Sequence, residues 1–175
     1  MDYAIGDKVV YPHRGAGTVT GMENLELVEG FDRYYVIDIP AGGLTMRVPV
    51  DKVDDLDVRP VVSATRLERV LDLLSKKASR LPDDYKLRQT GVREKMARGR
   101  ATPIAEVVRD LTRRQEESYL TRVDRRLLDE AREFLAGEVA LITDSEIPDA
   151  EEVIEMALAQ GLSQNGLAEA SEEQA

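Results

Sequence analysis

The hydrophobic pattern changes its period once along the chain, close to residue 60. Before this point, β-branched and aromatic positions alternate with polar ones, as in residues 44–50, where every second side chain is apolar. From Leu67 onward, the apolar positions recur at intervals of three and four residues. Alternation is typical of half-buried strands, and the longer period is typical of amphipathic helices. The sequence therefore predicts an α+β protein, with a β module in residues 1–60 and an all-α domain in residues 61–160.

The β module is predicted to be a small, strongly bent barrel of the SH3 or Tudor type. Strands are expected at residues 8–11, 19–22, 33–39 and 44–50. Residues 15–18 contain two glycines and are interpreted as a turn or a bulge. Four or five short strands joined by such turns indicate a small barrel. Pro49 has no N–H group for a strand ladder, so it marks an edge strand or the end of a strand.

Five helices are predicted after the β module, and capping residues mark where the first four begin. The candidate caps are Ser63, Asp83 or Asp84, Thr102 and Thr121. Side-chain oxygens of these types accept hydrogen bonds from the first free N–H groups of a helix. The second helix is expected from Tyr85 to Arg98, and the last from Asp149 to Gln160. Residues 161–175 are small, polar and acidic, which predicts a disordered tail.

Charge is distributed in three blocks. Residues 1–60 hold 6 basic and 11 acidic side chains, residues 61–135 hold 18 and 13, and residues 136–175 hold none and 10. The whole chain has a formal net charge of −10, so its middle block is basic within an acidic protein. Tyr85 stands in this block beside the longest break in the helical pattern. A basic helical surface with an aromatic residue at a loop-to-helix corner is typical of proteins that bind a phosphate backbone and touch a base step.

Residue types that carry catalysis are sparse. The chain has no cysteine, and its one histidine, His13, has no partner in a catalytic motif. The glycines near residue 15 match only the first half of a dinucleotide-binding fingerprint, because the third is displaced and a strand follows. We therefore expect no enzyme activity, no cofactor and no metal. We also expect a cytoplasmic protein, because neither a signal peptide nor an apolar stretch of about 18 residues is found.

The basic side chains alone leave two functions open. Arg109 and Arg113 share a helix face, yet Glu106 and Asp110 lie near enough to pair with them. A solvated helix face is therefore as compatible with these charges as a nucleic-acid surface. The acidic β module that offers Arg47 indicates a protein contact made by strand addition and an ion pair. An adaptor between a protein and DNA accounts for both regions, whereas an enzyme accounts for neither.

Four segments resemble a known family: KVVYPHRG at 8–15, LTMRVP at 44–49, IAEVVRDL at 104–111 and LLDEAREFLAGEVA at 127–140. Through these segments the chain resembles the bacterial CarD/CdnL family of RNA polymerase-binding transcription regulators. The resemblance implies a Tudor-like N-terminal domain that docks on the polymerase β subunit, as does the related domain of the transcription-repair coupling factor. It also implies a helical C-terminal domain that lies on promoter DNA at the upstream edge of the melted bubble and slows its collapse.

The resemblance further implies roles for individual residues. Arg47 matches a basic residue that the family uses against the β subunit, with Pro49 beside it, and Leu25 stands where some members have a second arginine. Tyr85 stands where the family has a tryptophan wedge in the minor groove. Tyrosine has a smaller face and a hydroxyl that must stay hydrogen-bonded, which predicts a weaker wedge. Leu87 stands where an arginine is common. The basic residues assigned to DNA are Lys86, Arg88, Arg93 and Arg113 or Arg114.

The predicted function is that of a monomeric transcription regulator. It would bind the β subunit of RNA polymerase, contact promoter DNA and stabilise the open complex. The alternative is an adaptor that binds polymerase without a functional DNA contact. The acidic net charge and the tyrosine in place of tryptophan favour this alternative.

Overall fold

The computed structural model describes the backbone of residues 1–172 and the side chains of residues 1–163. An antiparallel five-stranded sheet precedes a group of α-helices, which confirms the predicted α+β fold class. The strands are β1 (Lys8–Tyr11), β2 (Gly15–Val28), β3 (Phe31–Ile39), β4 (Leu44–Pro49) and β5 (Arg59–Pro60). The helices are α1 (Ala64–Leu74), α2 (Tyr85–Met96), α3 (Ala101–Glu117), α4 (Arg122–Thr143) and α5 (Ile147–Glu172).

The sheet has the strand order β4-β3-β2-β1-β5, so β4 and β5 form its edges. Strand β2 continues to Val28, past the predicted end near residue 22. The alternation in β4 is confirmed, since Leu44, Met46 and Val48 pack on the sheet's core while the residues between them face outward. Pro49 is the last residue of this edge strand, as its missing N–H group predicts.

Residues 15–18 form the start of β2 rather than a turn. The chain reverses at residues 12–14, and His13 and Gly15, at the start of β2, have φ angles of 63° and 106°. Gly17 then lies so close to β3 that a Cβ atom would stand 2.4 Å from the carbonyl oxygen of Asp38. The glycine is required here for close approach of two strands in a bent sheet, and this long-range need is not visible in the local sequence.

Three predicted helix caps are confirmed and one is wrong. The side chains of Ser63, Asp84 and Thr121 each accept hydrogen bonds from backbone N–H groups in the first turns of α1, α2 and α4. Helix α3 begins one residue before Thr102, so that threonine already lies inside the helix. Arg100 occupies the cap position and makes no side-chain cap bond. Favourable cap chemistry at Thr102 therefore does not set the start of α3.

Helix α5 is longer than predicted because Gly161 does not end it. This helix runs from Ile147 to Glu172, so most of the segment expected to be a disordered tail continues it, and residues 173–175 lie outside the described part. Gly161 packs against the end of α1, where a Cβ atom would stand 2.6 Å from the carbonyl oxygen of Ser75. The glycine serves close helix packing at this position, rather than helix termination.

Helix α4 joins the two halves of the molecule, because it packs on α3 and α5 and also on β2. Its inner face supplies Leu128, Ala131 and Leu135 to a continuous helical core. Hydrophobic stripes of this kind were predicted from the 3.6-residue period and are buried as expected. No helix in the described part of the chain combines the length and the apolar character that crossing a membrane requires.

A partly buried ion pair fixes the junction between the sheet and the helices. Both terminal nitrogens of Arg59, on β5, donate to the carboxylate of Glu138, on α4, at 2.7 and 2.8 Å. Arg59 also donates to the carbonyl oxygen of Gly99, and Glu138 accepts from the N–H of Val62. Bidentate pairing of this kind restricts orientation as well as distance. The sheet and the helices are thereby held in one arrangement.

Candidate protein and nucleic-acid interfaces

The residues predicted to contact a protein lie on one face of the sheet, here called the β4 face (Leu25, Arg47 and Pro49). In the strand register, Glu23 of β2 lies opposite Tyr34 of β3, and Tyr34 lies opposite Pro49 of β4. Leu25 and Arg47 are each two residues from a member of this row, so pleating places them on the same side. The sheet therefore brings together three residues that are separated by up to 24 positions.

Arg47 is engaged in an ion pair on this face. Its Nε atom donates to Glu23 Oε2 at 2.7 Å, and its Nη2 atom lies 3.4 Å from Oε1. The hydrogen bond and charge of Glu23 raise the pKa of Arg47 above its usual value. Both side chains remain substantially exposed, so the pair faces solvent. The sequence prediction of an available basic residue is therefore incomplete, because an acidic neighbour offsets its charge.

Tyr85 is the first residue of α2 and belongs to the α2 corner, defined as residues 84–87. Its side chain is 51% exposed, and the Lys86 ammonium lies 6.0 Å from the centre of its ring. Asp84 fixes the corner by accepting hydrogen bonds from the N–H groups of Lys86 and Leu87 at 2.8 and 2.9 Å. Leu87 is also exposed, at 67%. An aromatic ring, an aliphatic side chain and a cation thus project together from a capped helix start.

Arg88 does not belong to this exposed surface, contrary to the sequence prediction. Its side chain is buried, and its Nη2 atom donates to Asp124 of α4 at 2.7 Å. Its Nη1 atom donates to the carbonyl oxygens of Pro82 and Asp83, at 2.8 and 3.0 Å. A guanidinium group with these partners is not available to a phosphate. Arg88 instead ties the loop before α2 to α4, which positions Tyr85.

Asp124 is the buried partner in this arrangement. Its carboxylate accepts hydrogen bonds from Arg88 and from both the N–H and the hydroxyl group of Thr121. Burial raises the pKa of Asp124, but these hydrogen bonds outweigh burial and hold the pKa below its usual value. The same aspartate completes the capping box of α4. One carboxylate therefore serves the start of α4 and the position of α2.

The remaining predicted DNA residues differ in their availability. Arg93 is exposed on α2, seven residues after Lys86. Arg113 donates to Glu117 at 2.5 Å, and Arg114 donates to Asp83 at 3.3 Å. Hydrogen bonds from Arg114 and Arg80 hold the pKa of Asp83 below its usual value. Lys86 and Arg93 thus stay exposed, whereas Arg113 and Arg114 are tied to acidic groups.

Sequence reasoning did not identify a second exposed aromatic residue near this corner. Tyr119, in the connection between α3 and α4, is 71% exposed, and the Arg125 guanidinium lies 5.7 Å from the centre of its ring. Gln89 of α2 donates to Thr121 at 3.1 Å, which brings this connection to α2. The sequence feature that could have identified Tyr119 is an aromatic residue two positions before the Thr121 cap, beside a run of arginines.

Comparisons with known proteins cover both halves of the molecule. Residues 3–62 match the family model described as CarD-like/TRCF RID domain, and residues 69–155 match the one described as CarD, C-terminal domain. A Bacillus subtilis (strain 168) protein named "Putative transcription factor YdeB" is 33% identical over 140 residues, which are 80% of this chain and 92% of that protein. These matches confirm the resemblance inferred from the four sequence segments. The chain belongs to the CarD family of transcription factors.

Proposed function

We propose that the protein binds the β subunit of RNA polymerase through the β4 face and contacts promoter DNA through the α2 corner. The DNA contact would lie at the upstream edge of the melted bubble and would slow its collapse. The protein would thereby stabilise the open promoter complex. The exposed Tyr85 ring beside Lys86, on a corner fixed by the Asp84 cap, is the observation that carries this proposal.

The polymerase contact is supported by the position of Arg47 and Pro49 on an edge strand. Among the described residues no strand pairs with the outer side of β4, so its backbone groups are available for strand addition. Arg47 lies beside that edge and is exposed enough to pair with an acidic partner. The match of residues 3–62 to the CarD-like/TRCF RID domain supports the same assignment.

The DNA contact is supported by the side chains at the α2 corner. Apolar and aromatic wedges that enter between base steps lie beside basic residues that hold the backbone. Tyr85 and Leu87 are exposed without being needed in the core, and Lys86 and Arg93 add charge on the same helix. The tyrosine presents a smaller ring than tryptophan, so its wedge would be correspondingly weaker.

The lifetime of the open complex tests this proposal. RNA polymerase holoenzyme is assembled on a promoter that melts reversibly, and dissociation after a competitor challenge is followed with and without the full chain. We expect the protein to lengthen the lifetime, and Tyr85→Ala to lose most of this effect while polymerase binding persists. Met156→Ala removes another exposed side chain, from α5, and serves as the control. An unchanged lifetime with the wild-type protein would contradict the proposal.

A second candidate function is that of an adaptor that binds polymerase without a functional DNA contact. The observation that favours it is the pairing of basic side chains with acids: Arg88 with Asp124, and Arg114 with Asp83. Salt dependence separates the two functions. A DNA contact adds about one unit of log–log slope for each phosphate contact when binding to the polymerase–promoter complex is compared with binding to polymerase alone. An adaptor gives equal slopes.

A further inference from the structure

Tyr119 is an aromatic residue that the hydrophobic core does not use. It stands in the short connection between α3 and α4 and is more exposed than Tyr85. Its neighbour Leu120, in contrast, is almost fully buried, so the chain positions the tyrosine outward while it anchors the leucine inward. Large aromatic side chains bury much apolar surface, and contribute strongly to stability or binding, when they enter a core or an interface. The surface of Tyr119 thus remains available for a partner.

The position of Tyr119 relates it to the α2 corner. Tyr85 and Gln89 are four residues apart on α2, so they share a helix face. Gln89 hydrogen-bonds to Thr121, which lies two residues after Tyr119. The buried Arg88–Asp124 pair also links α2 to α4. Tyr85 and Tyr119 therefore flank one contact between α2 and the start of α4.

The two tyrosines have the same kind of neighbour. Lys86 stands 6.0 Å from the ring centre of Tyr85, and Arg125 stands 5.7 Å from that of Tyr119. Arg122 and Arg126 are exposed nearby, and neither forms an ion pair within the part of the chain whose side chains are described. Successive aromatic rings on a positively charged surface are the usual arrangement for binding unpaired nucleotides, because each base has a face that stacks.

We infer that Tyr119 is a second base-stacking residue, which contacts an unpaired nucleotide of the melted strand next to the step occupied by Tyr85. The inference rests on the proposed function and deepens it. Tyr85 alone would act on a duplex edge, whereas two rings distinguish duplex from melted DNA, since only unpaired bases present a free face to both. Arg125 orients the Tyr119 ring and adds positive charge beside the backbone.

The test compares two dissociation constants of the full-length protein. One is measured with RNA polymerase holoenzyme alone, and the other with holoenzyme on a forked promoter fragment whose downstream strands are unpaired. The dissociation constant with holoenzyme alone, divided by the one with holoenzyme on the forked fragment, reports the DNA contact. We expect Tyr119→Ala to lower this ratio by about tenfold, as for the loss of one stacked base, and Tyr119→Phe to keep it. On a fully paired fragment under conditions that prevent melting, Tyr119→Ala should match wild type.

Each other outcome has a defined meaning. If Tyr119→Ala weakens binding to holoenzyme alone, the tyrosine contacts protein and the inference is wrong. If Tyr119→Ala keeps the wild-type ratio while Tyr85→Ala loses it, the inference is wrong and the proposed function stands. If the wild-type ratio is one, both the proposed function and the inference fail. Met156→Ala, which removes an exposed side chain elsewhere, should leave the ratio unchanged.

Discussion

Arg88 of α2 and Asp124 of α4 form an ion pair with an N–O distance of 2.7 Å, although 36 residues separate them in sequence. Both side chains are almost completely shielded from solvent. The pair links the helix that presents Tyr85 to the helix that begins beside Tyr119. Arg88 was predicted from the sequence to bind DNA. In the structure its charge instead holds together the two helices that carry the proposed DNA-binding surface.

Replacement of Arg88 should lower stability rather than remove a phosphate contact. Arg88→Met leaves the carboxylate of Asp124 buried without its charged partner, which typically costs about 3–5 kcal/mol. We expect this loss in the free energy of unfolding measured by urea denaturation. Arg93→Met changes the same residue type at an exposed position of α2 and should stay within about 0.5 kcal/mol of wild type. A fully stable Arg88→Met protein would contradict the structural role.

The depressed pKa of Asp124 predicts a dependence of stability on pH. An aspartate whose pKa is lower in the folded state stabilises the protein above the unfolded value of about 3.9, and this contribution is lost as the pH falls through the folded value. Asp124→Asn removes the ionisation. The difference in unfolding free energy between wild type and Asp124→Asn should therefore be largest near neutral pH and should shrink below about pH 4. A constant difference across this range would show that ionisation does not contribute.

Two glycines inside helices offer a matched pair of substitutions. A Cβ atom at Gly161 would overlap the backbone of Ser75, whereas no atom of the described residues lies within 4 Å of a Cβ atom at Gly91. Gly161→Ala should lower the free energy of unfolding by about 1–3 kcal/mol, because α5 must move away from α1. Gly91→Ala should raise it by about 0.5–1 kcal/mol through helix propensity. Thermal or urea unfolding of the two variants shows whether the free energy of unfolding falls for Gly161→Ala and rises for Gly91→Ala.

The ion pair on the β4 face predicts an effect on polymerase binding. Arg47 must exchange Glu23 for an acidic group of the partner, so Glu23→Gln should free it and tighten binding by up to about fivefold, the range of exposed ion pairs. Arg47→Ala should weaken binding. Both variants should fold normally, since the pair is exposed. Weaker binding by Glu23→Gln would indicate that the glutamate itself contacts the partner.

The features predicted correctly from sequence are those set by neighbouring residues. Ser63, Asp84 and Thr121 cap helices because their side chains reach N–H groups only two or three positions away. The alternation in residues 44–50 is also a local pattern, because successive side chains of a strand point to opposite faces of the sheet. Such patterns, together with the four family segments, were sufficient to give the fold class and the family.

Apart from the local error at Thr102, the errors concern residues whose partners are distant in the sequence. In sequence Arg88 has the features of a surface arginine, but in the structure it pairs with Asp124. Gly161 has the features of a helix end, but in the structure it packs against Ser75. Tyr119 was overlooked because its exposure follows from how the connection between α3 and α4 is folded. No periodicity encodes contacts of this range, so only the folded structure separates buried charges from available ones.

The Arg59–Glu138 junction has a consequence for affinity. If the β4 face is bound, the α2 corner has little freedom to search, and its encounter with DNA becomes an intramolecular step governed by effective concentration. An α2 corner with weak affinity for free DNA is then sufficient for function. If the sheet and the helices were separated from each other, this advantage would be lost, even though every contacting side chain would still be present.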